Sequence, residues 1–206
     1  MKKVIFDLDN TLLIFDEIYL NDYGSVINGT YEDGLNLYNS IGKYEKSAGI
    51  YKKQELLDFI NNDLNKNYSM ETFNKLLDAI SNNWISFVPN GTEDVLKYLS
   101  SKYELYVLTN WFSECQGKRL EHANLLKYFK EVVGADKVKA KPNTDGYLYI
   151  IGDSKLEDVI MIGDNPDIDI KGANDVGCKS ILADYRNKYS NYENRITDIK
   201  ELMDIL

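Results

Sequence analysis

A chain of 206 residues, 44% apolar and 28% charged, is long enough for one core domain of ordinary size with room for an insertion. Its formal net charge of −9 argues against a nucleic-acid binder, which carries a basic face or stripe, and no apolar stretch approaches the roughly 20 residues that span a bilayer. Two cysteines, Cys115 and Cys178, do not make a disulfide framework, and acids at 7 and 9 interrupt the N-terminal apolar run too early for a secretory leader. The expectation is a cytoplasmic protein with free thiols, not bound to membrane.

The first strand is expected over Lys3–Phe6, and it stops on Asp7-Leu8-Asp9-Asn10-Thr11. A charge left unpaired near a core is costly, so two carboxylates at the end of a buried strand call for a cation. A divalent metal bound through oxygen is the obvious one; the alternative is a strand-end turn with two solvated acids. The stretch 15–88 then contains no strong strand pattern. Leu56, Leu57, Ile60 and Leu64 form one helical face, and Phe73, Leu76, Leu77, Ile80 and Trp84 form another at i, i+3, i+4, i+7 and i+11. Ser69 stands where the second of these helices needs its N-cap. A helical insertion directly after the paired acids would sit over the carboxyl edge of a sheet.

Beyond residue 88 strands and helices alternate. Val95, Leu96 and Leu99 follow Pro89-Asn90-Gly91 at helical spacing, and an apolar strand is expected over Leu105–Leu108. Leu120, Leu125, Leu126 and Phe129 are expected to serve one helix after it, on which His122 is assigned no chemistry. Strands follow at Glu131–Val133, Val159–Ile162 and Ser180–Leu182, with a short helix at Tyr147–Ile151 and another carrying Ala173 and Val176. Continuous apolar strands separated by helices predict a doubly wound, Rossmann-like α/β fold with a parallel five-stranded sheet. Residues 1–14 and 89–206 would form that core, and 15–88 a small helical cap.

Ligands of such a sheet collect outside the carboxyl ends of its strands. Asp7 and Asp9 follow the first strand, Thr109 and Asn110 the second, Lys141 the third, and Gly163-Asp164-Asn165-Pro166-Asp167-Ile168-Asp169 the fourth. Taken singly, Thr109 reads as a strand terminator and Lys141 as a loop lysine; only their joint placement at successive strand ends points to phosphoryl transfer. With these residues the chain resembles the haloacid dehalogenase-like (HAD) superfamily of phosphohydrolases, with a C1-type helical cap after the first motif. Gly152-Asp153 with Asp158 competes for the fourth motif, but too little chain separates it from Lys141 for a crossover helix, so Gly163-Asp164 with Asp169 is preferred.

The resemblance implies a role for each position. Asp7 is the nucleophile that forms an aspartyl-phosphate. Asp9 is the general acid and base, with neighbouring carboxylates expected to keep it protonated part of the time. Thr109 and Asn110 would bind the phosphate, and Lys141 would neutralise Asp7 and the transferring oxygens. Mg²⁺ would be held by Asp7, the backbone carbonyl of Asp9 and Asp164, with Asp169 supporting the metal or the lysine. Asp167 is expected to cap the helix that follows it. Trp111 and Phe112 would pack beneath the cap or lean on the substrate, and Tyr19 and Tyr23 lie nearest the site on the cap side.

A Mg²⁺-dependent phosphatase of a small phosphorylated metabolite, a nucleoside monophosphate or a small sugar or glycolate phosphate, is the reading that follows, working as a monomer or weak homodimer. The family's dehalogenases lack the second aspartate, so Asp9 argues against dehalogenation. A phosphomutase is the nearest alternative, disfavoured because residues 12–30 carry no Lys or Arg and the first cation after the motif is Lys43. A non-catalytic phosphate-binding regulatory module is the other.

Overall fold

The structure, a computed structural model, describes residues 2–14, 20–47, 49–83 and 87–206. Phe15, Asp16, Tyr19 and Trp84 lie outside the described residues. Six parallel strands form one sheet in the order β3-β2-β1-β4-β5-β6: β1 Lys3–Phe6, β2 Glu104–Thr109, β3 Phe129–Gly134, β4 Val159–Gly163, β5 Lys179–Ala183 and β6 Arg195–Ile196. Strand β1 is central because Val4, Ile5 and Phe6 are wholly buried. A strand covered on both faces must be apolar at every position. It pairs β2 on one side, Phe6 opposite Val107, and β4 on the other, Phe6 opposite Ile162.

The expected five strands are therefore six. Strand β6 escapes detection because its two residues are too few to show a pattern. It is held at the sheet edge by backbone bonds, Leu182 N–H to Asn194 C=O at 2.8 Å and Asp184 N–H to Ile196 C=O at 2.8 Å. The helix after β2 also differs from expectation. It ends at His122, and Phe129 opens β3. Asn124 takes a left-handed φ of 59°, a conformation asparagine tolerates better than most residues. The Leu125 N–H then bonds back to Leu120 C=O at 2.8 Å, which closes the helix and turns Leu125 into the core.

Among the described residues, four helices lie between β1 and the rest of the core, α1 Leu20–Val26, α2 Tyr31–Ser47, α3 Lys53–Leu64 and α4 Met70–Asn83. These make the inserted helical cap. Ser69 caps α4 as its position suggests, accepting from the Thr72 N–H at 3.2 Å. The apolar faces of α2, α3 and α4 meet in a core of their own, with Leu37, Ile41, Leu56, Ile60, Phe73 and Leu77 buried together. Trp111, Phe112 and Cys115 of the sheet domain enter that same cluster, so the cap is packed on the edge where β2 ends.

The remaining helices flank the sheet: α5 Thr92–Ser100, α6 Ser113–His122, α7 Asp145–Ile151, α8 Lys171–Asp175 and α9 Leu202–Ile205. Helix α7 takes up the Tyr147–Ile151 run. Both cysteines are free and buried. No helix of the described residues is long and apolar enough to cross a membrane.

Candidate active site

The strand order reverses between β1 and β4, and the carboxyl ends of these two strands carry Asp7 and Asp164. Asp7 leaves β1 with its N–H bonded to Ile162 C=O at 2.8 Å. Its Oδ1 accepts from Lys141 Nζ at 2.6 Å and its Oδ2 from the Thr11 hydroxyl at 3.3 Å. The same Lys141 ammonium donates to Asp169 Oδ1 at 2.6 Å. Asp169 is tied down in turn: its Oδ2 accepts from the Asn165 N–H at 3.0 Å. It also packs so close to the end of β4 that a Cβ on Gly163 would lie 2.4 Å from its carboxyl carbon. Glycine is required there.

Electrostatics bind this side together. Burial would push the Lys141 ammonium toward neutrality, but Asp169 and Asp7 outweigh it and hold its pKa above the ordinary value. The Asp7 carboxyl is pushed well up by burial, against the pull of Lys141 and with the added repulsion of Asp169 and Asp164. Asp164 is raised to about 7, first by burial and then by Asp169. Crowded carboxylates of this kind favour a bound cation. One oxygen each of Asp7, Asp164 and Asp169 lies within 4.8 Å of the others. An all-carboxylate donor set suits a hard divalent ion. Both Asp7 and Asp169 share the Lys141 ammonium, and the second oxygen of Asp169 is also taken by the Asn165 N–H. The Asp9 carboxylate lies outside this cluster.

Asp9 turns to the opposite side. Its Oδ1 accepts from Arg119 Nη2 at 2.7 Å and its Oδ2 from Gln116 Nε2 at 3.1 Å. The expected crowding of Asp9 by carboxylates is replaced by a guanidinium and an amide. Neither Arg119 nor Gln116 was legible as a site residue. They stand three apart on α6 and so share one face of it, but polar residues on a helix ordinarily face water. These two are buried.

Thr109 ends β2 with its hydroxyl oxygen accepting from Gln116 Nε2 at 2.9 Å. Asn110 lines the cleft, yet its amide is engaged with the main chain of Lys141: Nδ2 donates to the Lys141 C=O at 2.9 Å, and Oδ1 accepts from the Lys141 N–H at 2.7 Å. It holds the lysine loop against the end of β2. Asp167 does not cap the turn that leads into α8; Asn165 does, accepting from the Asp167 and Ile168 N–H groups at 3.0 and 3.2 Å. Asn165 comes two residues earlier, ahead of Pro166, and so stands where the N-cap belongs.

Sheet and cap enclose a cleft of about 790 Å³. Asp7, Asp9, Thr109, Lys141 and Asp164 line its floor, and Tyr23, Asn36, Asn39, Lys43 and Glu45 line the cap side. Burial raises the Glu45 carboxyl to about 7. Lys43 Nζ is bonded to both carboxylate oxygens of Asp63, at 2.9 and 2.8 Å. Trp111 and Phe112 pack edge-on against Tyr51 of the cap, with ring centroids 6.4 and 6.0 Å away, and Trp111 also reaches the cleft.

A parallel sheet with a cap inserted after its first strand, and an aspartate cluster at the switch in strand order, define a class of hydrolases. The family model for haloacid dehalogenase-like hydrolases matches residues 4–183. The chain belongs to that family, and its aspartate cluster is of the kind that family uses as enzymes. Among curated relatives, a pyrimidine 5'-nucleotidase of Streptococcus pneumoniae is 27% identical over 228 residues, covering 100% of this chain and 94% of its own. Among solved structures, magnesium-bound YfnB of Bacillus subtilis superposes with a TM-score of 0.77 at 20% identity, covering 100% of this chain and 98% of its own. A 2-haloacid dehalogenase of Pseudomonas syringae pv. Tomato reaches a TM-score of 0.70 at 18% identity, covering 100% and 97%. The shared fold therefore spans two chemistries, and the site residues must choose between them.

Proposed function

We propose that the chain is a phosphoric monoester hydrolase that passes through an aspartyl-phosphate on Asp7. The observation that carries the reading is the pair of aspartates lining one cleft, Asp7 with Lys141 and Asp9 with Arg119. A lone nucleophile suffices where the leaving group departs as an anion; an alkoxide needs a proton, and Asp9 is the acid to give it. In the first displacement an Asp7 oxygen forms a bond to phosphorus as the ester P–O bond breaks, and the leaving oxygen takes the proton of Asp9. In the second, Asp9 takes a proton from water whose oxygen attacks phosphorus, which frees Asp7 and releases inorganic phosphate.

Thr109 donates its hydroxyl to the phosphoryl group, and the Lys141 charge lies beside Asp7, where negative charge accumulates. Mg²⁺ held by Asp7, Asp164 and the Asp9 carbonyl would offset, when bound, the repulsion between anionic nucleophile and anionic ester. Asp169 keeps Lys141 in place.

The cap, taken as residues 15–88 on a core of 1–14 and 89–206, closes over the substrate in this reading. Support comes from the backbone bond from Ile14 N–H to Phe87 C=O at 2.9 Å, which ties the two linkers together beside the proposed boundaries. The amides of Asn36 and Asn39 and the carboxyl of Glu45 suit a polar leaving group, so the substrate is a small phosphorylated metabolite such as a nucleoside monophosphate or a sugar phosphate. The nucleotidase relative supports the first of these. A phosphomutase would need a cation for a second phosphate; Lys43, the first candidate, is already paired with Asp63, which leaves Lys46 of the cap wall as the remaining lysine on that side among the described residues. The test is phosphate release from a panel of phosphomonoesters with Mg²⁺ and with EDTA. Magnesium-dependent release concentrated on one class names the substrate; silence on every ester, an activated aryl phosphate included, overturns the reading.

A further inference from the structure

Arg119 is a buried cation of the cleft to which the proposed chemistry gives no step. Its side chain is 1% exposed, and burying a guanidinium is costly unless its donors are met. Its partners are telling. Nη2 donates to Asp9 Oδ1 at 2.7 Å and Nη1 to Gln116 Oε1 at 2.7 Å. Gln116, also buried, then donates through one nitrogen to Asp9 Oδ2 at 3.1 Å and to Thr109 Oγ1 at 2.9 Å. An arginine can only donate, so the Gln116 atom facing it is the carbonyl oxygen. Both amide hydrogens must therefore point at Asp9 and Thr109. Thr109 accepts one of them, and its own hydroxyl hydrogen is left to be donated elsewhere.

We infer that Gln116 and Arg119 are positioning residues for phosphoryl transfer. Arg119 and Gln116 clamp one oxygen each of the Asp9 carboxyl and so hold its plane. The Gln116 amide, its direction set by Arg119, also sets Thr109 as a donor toward the phosphoryl oxygens. The inference rests on the phosphohydrolase reading. An ion pair that only held α6 to the sheet would need no contact with two reacting groups; this one reaches Asp9 directly and Thr109 through Gln116. A guanidinium is suited to the task because its planar fork reaches Asp9 and Gln116 at once, which an ammonium does with less geometric control.

The experiment measures kcat/KM of the metal-loaded enzyme on aryl phosphates, from p-nitrophenyl phosphate to unsubstituted phenyl phosphate, for the wild type, Arg119→Met, Arg119→Lys and Gln116→Met. A good leaving group needs little protonation, so damage transmitted through Asp9 grows as the leaving group worsens. Arg119→Met is expected to lose about a hundredfold on phenyl phosphate but under about tenfold on p-nitrophenyl phosphate, mainly in kcat. Gln116→Met is expected to lose on both esters, because Thr109 is disturbed with either. Arg119→Lys, which keeps the charge, is expected to fall between wild type and Arg119→Met, and it decides the matter if Arg119→Met does not fold. Equal losses across the series in the Arg119 variants would overturn the inference and leave a structural ion pair. A wild type silent on every aryl phosphate would instead overturn the phosphohydrolase reading beneath it.

Discussion

Asp7 and Asp9 stand two residues apart at one strand end, yet the two sides of the cleft treat them differently. On the Asp7 side, β4 and the loop before α7 bring a buried ammonium between two carboxylates, and Asp7 is only 10% exposed. On the Asp9 side, α6 supplies a guanidinium and an amide, and Asp9 remains 38% exposed toward the cleft. The first arrangement is a closed charge network with a place for a metal. The second is an acid held at two points with a face left open. One short segment can carry two chemical roles because its neighbours come from different parts of the fold.

The sharpest way to break that contrast is to remove each acid in turn. Asp7→Asn is expected to lower turnover at least about 10⁴-fold while leaving the thermal unfolding midpoint close to wild type. Asp9→Asn is expected to lose about 10²- to 10⁴-fold on alkyl phosphates yet still be phosphorylated by an activated ester, detectable as acid-stable radiolabel on the protein. Equal and total loss of phosphorylation in both variants would erase the difference in role.

Next comes the charge network itself. Lys141→Met leaves Asp7 and Asp169 facing each other without their cation. A loss of about 3–5 kcal/mol in metal-free urea unfolding is the expected cost, since a buried pair broken on one side leaves an uncompensated charge. Added Mg²⁺ should restore part of it; no rescue would argue against a cation site at Asp7 and Asp164. The Asp9 side predicts a smaller number: Gln116→Met removes a neutral amide that donates to Asp9 and Thr109 and accepts from Arg119, so its stability change should be about 2–3 kcal/mol.

The cap wall carries a pH-dependent effect of its own. Glu45, raised to about 7 from 4.5 by burial, binds its proton more tightly folded than unfolded. Its ionisation therefore erodes stability as pH rises through that interval, and the loss is complete above it. Glu45→Gln should match wild type at pH 4 and exceed it by about 2 kcal/mol at pH 8 in urea midpoints. A gap independent of pH would show that Glu45 ionises freely in the folded protein.

How much of this was legible beforehand depends on which physical rule placed each residue. The strands that end on Asp7, Thr109 and Asp164 announce themselves as apolar runs, and parallel strands must bring their carboxyl ends to one edge. Lys141 and Asp169 follow from that edge together with the resemblance. The choice of Gly163-Asp164 over Gly152-Asp153 was open to reasoning as well, because a crossover needs chain length, and Asp145–Ile151 is indeed a helix. Strand β6 was not legible: two residues at a sheet edge are held by backbone bonds to β5, which no side-chain pattern records. The helix end at Asn124 was missed because leucines on both sides of a turn mimic one continuous face.

Sequence alone thus determined the class of fold, the aspartate pair and the set of groups at the strand ends, since these depend on local polarity and chain direction. Tertiary structure alone decided that Arg119 and Gln116 turn inward to Asp9, that the Asn110 amide clamps the Lys141 loop, and that Asn36, Asn39 and Glu45 face the cleft. Each of those outcomes depends on how a helix or loop docks on its neighbours. That rotation and depth are fixed by packing between segments far apart in the chain, and polar residues that packing buries look, in a sequence, like residues that face water.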